Sequence, residues 1–205
     1  MIRTVLLLRH GETALNRRGA FRGLADVPLS ERGVSEAERL AARVVGAYRL
    51  SAVYASPLER ARATALPIAT ACGVTMQTDE RFLDLDYGPW TGKARGDLAP
   101  DERRVLNEWH RQPDVPLPGA ESPERVQARA LAGLEACAAR AGECVAIVSH
   151  EVVIQVILCD VLGLAIRNYR ALAQHMATLN ELGRVGPRWR VLLLDSAWHL
   201  DEEEF

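Results

Sequence analysis

Short apolar runs alternate along this chain with longer segments of helical character, and no other feature constrains the fold as strongly. The runs that have the length and composition of buried strands are residues 4–8, 52–54, 145–148 and 190–194. The segments with helical periodicity are residues 30–48, 57–72, 122–140 and 152–162. Strands that alternate with helices predict an α/β layered fold with a largely parallel sheet.

Two of the helical segments carry recognisable start and stop signals. Ser56 is placed to cap the second segment, Pro57 suits a first helical turn, and Gly73 follows the end of the segment. Ser122 and Pro123 open the third segment in the same way. We therefore expect a helix from Pro57 and another from Ser122.

The whole chain is predicted to form a single domain, residues 1–205. A length of 205 residues with 48% hydrophobic side chains can bury a sizeable core, and no linker or internal repeat divides the sequence. Residues 88–120, which are rich in Pro and Gly, are predicted to form an irregular excursion over the sheet, a kind of loop that often carries function. The acidic residues 201–205 are predicted to be a frayed tail.

Charge and cysteine usage exclude several classes of partner. A formal net charge of −2 argues against non-specific nucleic-acid binding. The four cysteines are scattered, with no pair at the spacing of a zinc site. No apolar run approaches the ~20 residues of a membrane span, and the amino terminus does not have the features of a signal peptide. We therefore expect a cytoplasmic protein with reduced thiols, and no metal, nucleic-acid or membrane partner.

Polar side chains of similar character follow three of the predicted strands. The first strand leads into Arg9 and His10, and the second leads into Arg60. The third leads into His150. Because ligands bind outside the carboxyl ends of parallel strands, these residues should converge. Two arginines and two histidines in one pocket predict a cationic site for a phosphoryl group, with a candidate nucleophile in it.

The same segments resemble the histidine phosphatase superfamily, which contains phosphoglycerate mutases and related phosphatases. Residues 9–13, Arg-His-Gly-Glu-Thr, resemble its signature. The further blocks that resemble the family, in its order, are residues 16–33, 56–65, 86–92, 119–122 and 148–150. The resemblance spans nearly the whole chain and implies a three-layer α/β/α sandwich with a mostly parallel sheet.

The resemblance also implies roles for individual residues and needs no metal or other cofactor. His10 would be the nucleophile that becomes phosphohistidine, which requires a neutral imidazole with one free lone pair. Arg9, Arg60 and His150 would hold the non-bridging phosphoryl oxygens and stabilise the transition state.

A general acid must protonate the departing alcohol. The family usually has a glutamate a few residues before its Asp-Tyr-Gly block, and here that position matches Asp84. An aspartate carboxyl sits one methylene closer to the backbone, so the backbone must compensate or a water must relay the proton. Asp86 and Glu12 are alternative acids.

Residues predicted to border the phosphate or the substrate are Asn16, Arg22, Gly23 and Glu121. Glu151 is a further candidate, at a position where the family often has glycine. Its carboxylate would repel a phosphate dianion unless it points away or meets an arginine.

The roles of two sets of residues stay open between contact with the substrate and a purely structural position. Trp90, Trp109 and His110 could line the leaving-group side, although ordinary packing is the stronger interpretation. All but one of the 25 basic residues are arginines. Apart from Arg9, Arg60 and Arg22, they are mostly interpreted as solvated helix faces.

The leading hypothesis is therefore a metal-independent phosphatase that hydrolyses a small phosphorylated metabolite. One alternative is a phosphoglycerate mutase, although mutases of the family usually carry longer insertions that exclude water. Another is a catalytically weak module that binds phosphorylated ligands. A metal-dependent hydrolase has no ligand set at metal spacing to support it. The substrate and the oligomeric state stay open, a homodimer included.

Overall fold

A computed structural model describes residues 3–113, 115–140 and 142–200 of the chain. It contains a six-stranded sheet in the order β3-β2-β4-β1-β5-β6. The strands are β1 (Thr4–Arg9), β2 (Ala52–Ala55), β3 (Met76–Thr78), β4 (Cys144–Ser149), β5 (Leu179–Val185) and β6 (Arg188–Ser196). Strands β1 to β4 run parallel to their neighbours among themselves, whereas β5 is antiparallel to β1 and β6 is antiparallel to β5. The predicted α/β fold with a largely parallel sheet is confirmed.

Helices cover both faces of this sheet. They are α1 (Ala14–Arg17), α2 (Glu31–Ala47), α3 (Glu59–Cys72), α4 (Pro100–Arg111), α5 (Pro123–Ala138) and α6 (Glu151–Leu162). Successive side chains of a strand point to opposite faces, and β1 shows the result. Val5 and Leu7 belong to the core cluster that α5 and α6 complete, whereas Leu6 and Leu8 belong to the cluster of α2 and α3. Two cores, one on each face, make the three-layer sandwich.

The predicted strands and most of the predicted helices lie where the sequence placed them, but two strands were missed. Strand β3 has only three residues and none of them is buried, so it has no apolar run to reveal it. Strand β5 contains the buried Asn180, whose Nδ2 atom donates to the carbonyl oxygen of Leu7. It also contains Gly183, and the two residues break the apolar pattern that identifies a strand.

Two predictions about helices were wrong. Helix α3 begins at Glu59 rather than Pro57, and no side chain caps it. The hydroxyl of Ser56 contacts His150 instead, at 2.8 Å. The excursion at residues 88–120 is not irregular throughout, since it contains helix α4. Pro100 stands at the first position of α4, and the helix buries Leu106 and Trp109, which gives an isolated polar segment an apolar anchor.

The structure does not test two of the predictions made from the sequence, the frayed tail and the single domain. Residues 201–205, predicted to be a frayed tail, lie outside the described residues. The single domain over residues 1–205 stays a prediction. Among the helices of the described ranges, none is both long enough and apolar enough to cross a bilayer.

Candidate active site

The carboxyl ends of β1 and β4 bring the two predicted histidines together. These strands are parallel neighbours, and Arg9 is paired with Ser149 at the last position of the ladder. His10 and His150 are the next residues along each strand, and their ring centroids lie 5.2 Å apart. Residues that are 140 positions apart in the sequence thus share one site because of strand pairing.

His10 is arranged as a neutral base with one free nitrogen. Its Nδ1 atom lies 2.7 Å from the carbonyl oxygen of Gly11, which can only accept a hydrogen bond. The proton of a neutral ring is therefore on Nδ1, and the lone pair is on Nε2. Burial, with the charges of Arg60 and Arg9, holds the pKa of His10 well below its usual range. His10 therefore keeps its lone pair at neutral pH.

His150 is held by a residue that the sequence interpretation assigned to another role. Nε2 of His150 lies 2.8 Å from Oγ of Ser56. That hydroxyl accepts a hydrogen bond from the backbone N–H of Leu58 at 3.4 Å, so its own proton is available to Nε2. A neutral His150 then carries its proton on Nδ1. Burial and the charge of Arg60 hold its pKa well below the usual range.

Arg60 is fully buried and anchored on three sides. Its guanidinium donates to the carbonyl oxygens of Ala25 at 2.7 Å and Gly23 at 2.8 Å, and to Oδ2 of Asp84 at 3.1 Å. Gly23 has a φ of +47°, a conformation that favours glycine. The turn around Gly23 therefore fixes the orientation of the Arg60 guanidinium.

Arg9 and Arg22 meet at one carboxylate. Oε2 of Glu151 lies 2.9 Å from Nη2 of Arg9 and 3.3 Å from Nη2 of Arg22. Arg9 also donates through Nη1 to the carbonyl oxygen of Gln174. Glu151 therefore meets arginines, which is the arrangement that the sequence required of a carboxylate beside a phosphate.

Unpartnered polar atoms are concentrated in this site. Seven buried side-chain nitrogen or oxygen atoms in the described residues have no hydrogen-bond partner, and six of them belong here. They are Nε of Arg9, Arg22 and Arg60, Nδ2 of Asn16, Nε2 of His10 and Nδ1 of His150. Buried polar groups normally find partners. Five N–H donors beside one imidazole lone pair suit a ligand with anionic oxygens around a central atom. The donors would hold the oxygens, and the lone pair could attack the central atom.

Asp84 is the predicted acid that lies beside the side chains predicted to bind phosphate. Its Oδ2 atom accepts from Arg60 and lies 3.8 Å from Nδ1 of His150. The two alternative acids have local partners instead. Glu12 accepts from the hydroxyl of Ser30 at 2.7 Å, and Asp86 accepts from the backbone N–H of Gly88 at 2.8 Å.

Arg129 supports the Asp84 loop, and its only signal in the sequence is a polar position on an Ala-rich helix. Its guanidinium donates to the carbonyl oxygens of Arg81 at 2.9 Å, Leu83 at 2.6 Å and Asp84 at 3.0 Å. It also binds both carboxylate oxygens of Glu121 at 2.9 Å. For Arg129 the interpretation as a solvated face was wrong. The structure places Glu121 with this arginine, and its predicted substrate contact stays a prediction.

A cavity of about 430 Å³ opens beside Arg22 and Glu151. Its aromatic walls include Phe21, Tyr87, Trp109 and Tyr169. The guanidinium of Arg170 lies over the Trp109 ring, 3.4 Å from its centroid.

The three candidate residues from the excursion, Trp90, Trp109 and His110, therefore differ in their positions relative to the cavity. Trp109 and His110 line the cavity. Trp90 is buried, and its indole N–H donates to the carbonyl oxygen of Pro118 at 3.3 Å, so its role is packing.

Within the part of the chain that the structure describes, no group of three or more His, Cys, Asp or Glu side chains could hold a metal ion. All four cysteines are free thiols.

Comparisons with known proteins agree with this geometry. A family model, the histidine phosphatase superfamily (branch 1), matches residues 5–196. Phosphoserine phosphatase 1 of Hydrogenobacter thermophilus is 30% identical over 200 residues, which cover 97% of this chain and 94% of that protein. "Probable phosphoglycerate mutase GpmB" of Yersinia pestis is 31% identical, over 96% of this chain and 90% of that protein. The structure of mycobacterial glucosyl-3-phosphoglycerate phosphatase with VO3 superposes with a TM-score of 0.86 at 26% identity, over 95% of this chain and 100% of that one. The resemblance found in the sequence is confirmed.

Proposed function

Since this chain belongs to the histidine phosphatase superfamily and is a phosphoric monoester hydrolase, we propose that it works through a phosphohistidine on His10. The observation that carries the proposal is the set of unpartnered atoms around the free Nε2 of His10. Arg9, Arg60 and His150 supply N–H donors for the non-bridging oxygens. Preorganised donors of this kind stabilise the charge of the transition state, and each one typically contributes about 2.7–4 kcal/mol.

The reaction proceeds in two half-reactions. In the first, the Nε2 lone pair of His10 forms a bond to phosphorus while the ester P–O bond breaks, and the Asp84 carboxyl gives its proton to the departing alkoxide. In the second, a water oxygen attacks phosphorus, its proton passes to the Asp84 carboxylate, and the P–N bond breaks. Nε2 recovers its lone pair, orthophosphate leaves, and Asp84 is again protonated.

Trapping the intermediate tests this proposal directly. A ³²P-labelled monoester should label the wild-type protein with an acid-labile, base-stable phosphoryl group. The His10→Ala variant should show neither label nor turnover, whereas His175→Ala, outside the site, should show both. A labelled His10→Ala protein would refute the assignment. Turnover without any trapped label in rapid-quench samples would also count against it. Label without turnover would instead favour the phospho-ligand-binding module.

We propose that no metal takes part in the reaction. The guanidinium groups and the imidazole already provide the positive charge and the N–H donors that the phosphoryl oxygens need. Dialysis against EDTA should leave kcat unchanged within twofold. A loss of activity that Mg²⁺ or Zn²⁺ restores would contradict this.

We propose that the alcohol of the substrate carries an anionic group. Arg95 and Arg170 line the cavity, and neither forms an ion pair with a carboxylate of the described residues. The names of two relatives, phosphoserine phosphatase and glucosyl-3-phosphoglycerate phosphatase, specify carboxylate-bearing esters. Phosphoserine and 3-phosphoglycerate should therefore exceed phosphoethanolamine and glycerol phosphate in kcat/KM. Arg170→Met should reduce this preference, and an unchanged preference would contradict the assignment.

A mutase activity is the second candidate, because a relative named as a phosphoglycerate mutase is as similar to this chain as the named phosphatase. A mutase returns the phosphoryl group to a sugar acid before water reaches it. With 2,3-bisphosphoglycerate as primer, we expect release of orthophosphate to exceed interconversion of 3- and 2-phosphoglycerate. The reverse ratio would make the mutase the function.

We propose a homodimer through the outer edge of the sheet. Strand β6 is an edge strand, and its residues Leu192 and Leu194 expose 59% and 43% of their surface, while Trp198, just after the strand, exposes 87%. Light scattering after gel filtration should give about twice the chain mass of 22.6 kDa. Leu194→Lys should give the monomer. A wild-type monomer at high micromolar concentration would refute the dimer.

We also propose that the protein works in the cytoplasm. The support is chemical, since four thiols without a disulfide suit a reducing compartment. Cell fractionation with a periplasmic or secreted marker would test the location.

A further inference from the structure

The carboxylate of Glu151 lies between two arginines that face the phosphoryl group. It contacts Nη2 of Arg9 at 2.9 Å and Nη2 of Arg22 at 3.3 Å, and both contacts use the same oxygen, Oε2. Glu151 is the first residue of α6 and directly follows His150. It therefore cannot move far from the clamp, by which we mean Arg9, Arg22, Arg60 and His150.

The carboxylate changes the charge that a ligand meets. Three arginines bring three positive charges to the site, and Asp84 cancels one of them through its pair with Arg60. Glu151 cancels another through Arg9 and Arg22. With both histidines neutral, the side chains around a phosphate dianion have a net charge of +1 when Asp84 is ionised and +2 when it carries the proton that it gives to the alcohol, in each case one unit less than without Glu151. A dianion is therefore bound by fewer charges than the number of arginines suggests.

Glu151 leaves room for the phosphoryl group despite this. It occupies one Nη atom of each arginine, and Nε of Arg9 and Nε of Arg22 remain unpartnered. A phosphoryl oxygen can use these N–H groups while the carboxylate stays in place. The side chain of Glu151 is 34% exposed, so solvent moderates the repulsion without removing it.

We propose that Glu151 is a specificity-determining residue that weakens the clamp's hold on the phosphoryl group, so that recognition depends on the alcohol. Glu151 also lines the aromatic cavity beside the clamp. An ester adds contacts in that cavity to those of the clamp, whereas orthophosphate has the clamp alone. Orthophosphate, the product, therefore dissociates readily, and esters with small featureless alcohols bind poorly. The inference rests on the proposed function for the identity of the ligand.

Equilibrium binding of orthophosphate and vanadate to the intact chain tests the charge of Glu151. Glu151→Gln keeps the shape of the side chain and removes the negative charge, so both anions should bind about tenfold more tightly. Glu151→Asp keeps the charge and should stay within threefold of the wild type. Glu124→Gln is the matched control, an exposed carboxylate in the first turn of α5, and should leave both dissociation constants unchanged.

Substrate selectivity provides the second readout. For Glu151→Gln, the ratio of kcat/KM between phosphoserine and glycerol phosphate should fall several-fold, and product inhibition by orthophosphate should strengthen. Unchanged dissociation constants in Glu151→Gln would overturn the inference even if His10 is labelled. Tighter anion binding in Glu151→Gln would support the inference even if no phosphohistidine is trapped, because binding is measured without turnover.

Discussion

The two buried histidines have their protons fixed by different partners. A backbone carbonyl fixes the proton of His10 on Nδ1, whereas the hydroxyl of Ser56 fixes that of His150 on the nitrogen facing Asp84. A carbonyl is part of the chain and cannot be lost by substitution. A hydroxyl can be, so the orientation of His150 depends on one side chain that lies on a different strand end.

Ser56→Ala tests this dependence. Without the hydroxyl, His150 loses the partner of Nε2, and its tautomer is no longer fixed. We expect kcat to fall about tenfold, equivalent to about 1.4 kcal/mol, with the fold intact. ¹⁵N shifts of the histidine ring should show a mixture of tautomers for His150. Ser51→Ala removes a hydroxyl that bonds a backbone carbonyl outside the site and should leave kcat unchanged. Equal losses in the two variants would contradict the role of Ser56.

Residues at the ends of strands could be found from the sequence, because an apolar run followed by polar residues marks the point where ligands bind. This is why Arg9, His10, Arg60 and His150 were predicted together. Ser56 and Arg129 could not be recognised in this way. A serine before a proline has the local pattern of a helix cap, and the partners of Arg129 are carbonyls more than 40 positions away. Contacts of that kind depend on packing rather than on pattern.

At the scale of elements, helix α5 holds the loop that carries the acid. Arg129 of α5 cross-links the carbonyl groups of Arg81, Leu83 and Asp84 with the carboxylate of Glu121. A guanidinium has five N–H donors in a rigid plane, and lysine cannot reproduce them. Together with the contacts of Arg60 to Asp84 and of Ser149 to the carbonyl oxygen of Phe82, Arg129 therefore sets the position of the loop.

We expect Arg129→Lys to reduce catalysis in a way that depends on the leaving group. An alkyl phosphate needs the proton of Asp84, whereas p-nitrophenolate departs with little help. The value of kcat/KM, which reports transfer of the phosphoryl group to His10, should fall tenfold or more for the alkyl ester and less than threefold for p-nitrophenyl phosphate. Arg125→Met, on the same helix with an exposed side chain, should change neither. A uniform loss for both esters would indicate general damage to the fold instead.

Helix α2 packs directly against the loop that follows β1. A Cβ atom on Gly33 would overlap the carbonyl oxygen of Glu12, and one on Gly11 would overlap the carbonyl oxygen of Gly33. These are contacts between backbones, so no side chain can move aside to relieve them. The position of His10 therefore depends on the absence of side chains at two glycines.

Two glycine-to-alanine changes in α2 should have opposite effects. Gly33→Ala should lower the free energy of unfolding by about 1–3 kcal/mol, the usual cost of overpacking. Gly46→Ala, near the other end of the helix, meets no atom within 4 Å and should raise it by about 0.5–1 kcal/mol. Urea denaturation measures both. Stabilisation by Gly33→Ala would show that the backbones can separate.

The sequence predicts elements well where apolar periodicity is strong and poorly where it is not. Strand β4 is wholly buried and helix α6 is buried over residues 152–159, and their apolar runs are unmistakable. Helix α4 buries only two of its residues and is otherwise polar, so its pattern predicts an irregular excursion rather than a helix. Its formation depends on Leu106 and Trp109 finding an apolar surface that other parts of the chain provide.

For the whole molecule, the buried neutral histidines link stability to pH. Unfolded histidines take up protons near pH 6.5, whereas the pKa values of His10 and His150 in the folded protein lie well below this. Below about pH 6.5 the unfolded state therefore binds more protons than the folded state, and stability falls as pH falls.

The order of the strands, by contrast, cannot be read from their order along the chain, because β1 and β4 become neighbours only through the pairing of distant segments.

Acid titration of stability checks this link. Between pH 6.5 and 5 the free energy of unfolding should fall by up to about 1.4 kcal/mol per pH unit for each histidine. The double variant His10→Asn with His150→Asn should have a shallower slope over the same range. A flat profile in the wild type would mean that both rings can be protonated in the folded protein.

The cavity beside the clamp has walls from several parts of the chain. Strand ends and the start of α6 supply the groups that handle phosphorus, whereas Trp109 and His110 come from α4, inside the excursion at residues 88–120. The excursion leaves and rejoins the sandwich without contributing a strand to the sheet. Its sequence can therefore diverge without altering the reaction. Selection can therefore change part of the choice of alcohol without changing the chemistry, and a graft of residues 88–120 between two relatives would shift their substrate preference while conserving their rate-limiting step.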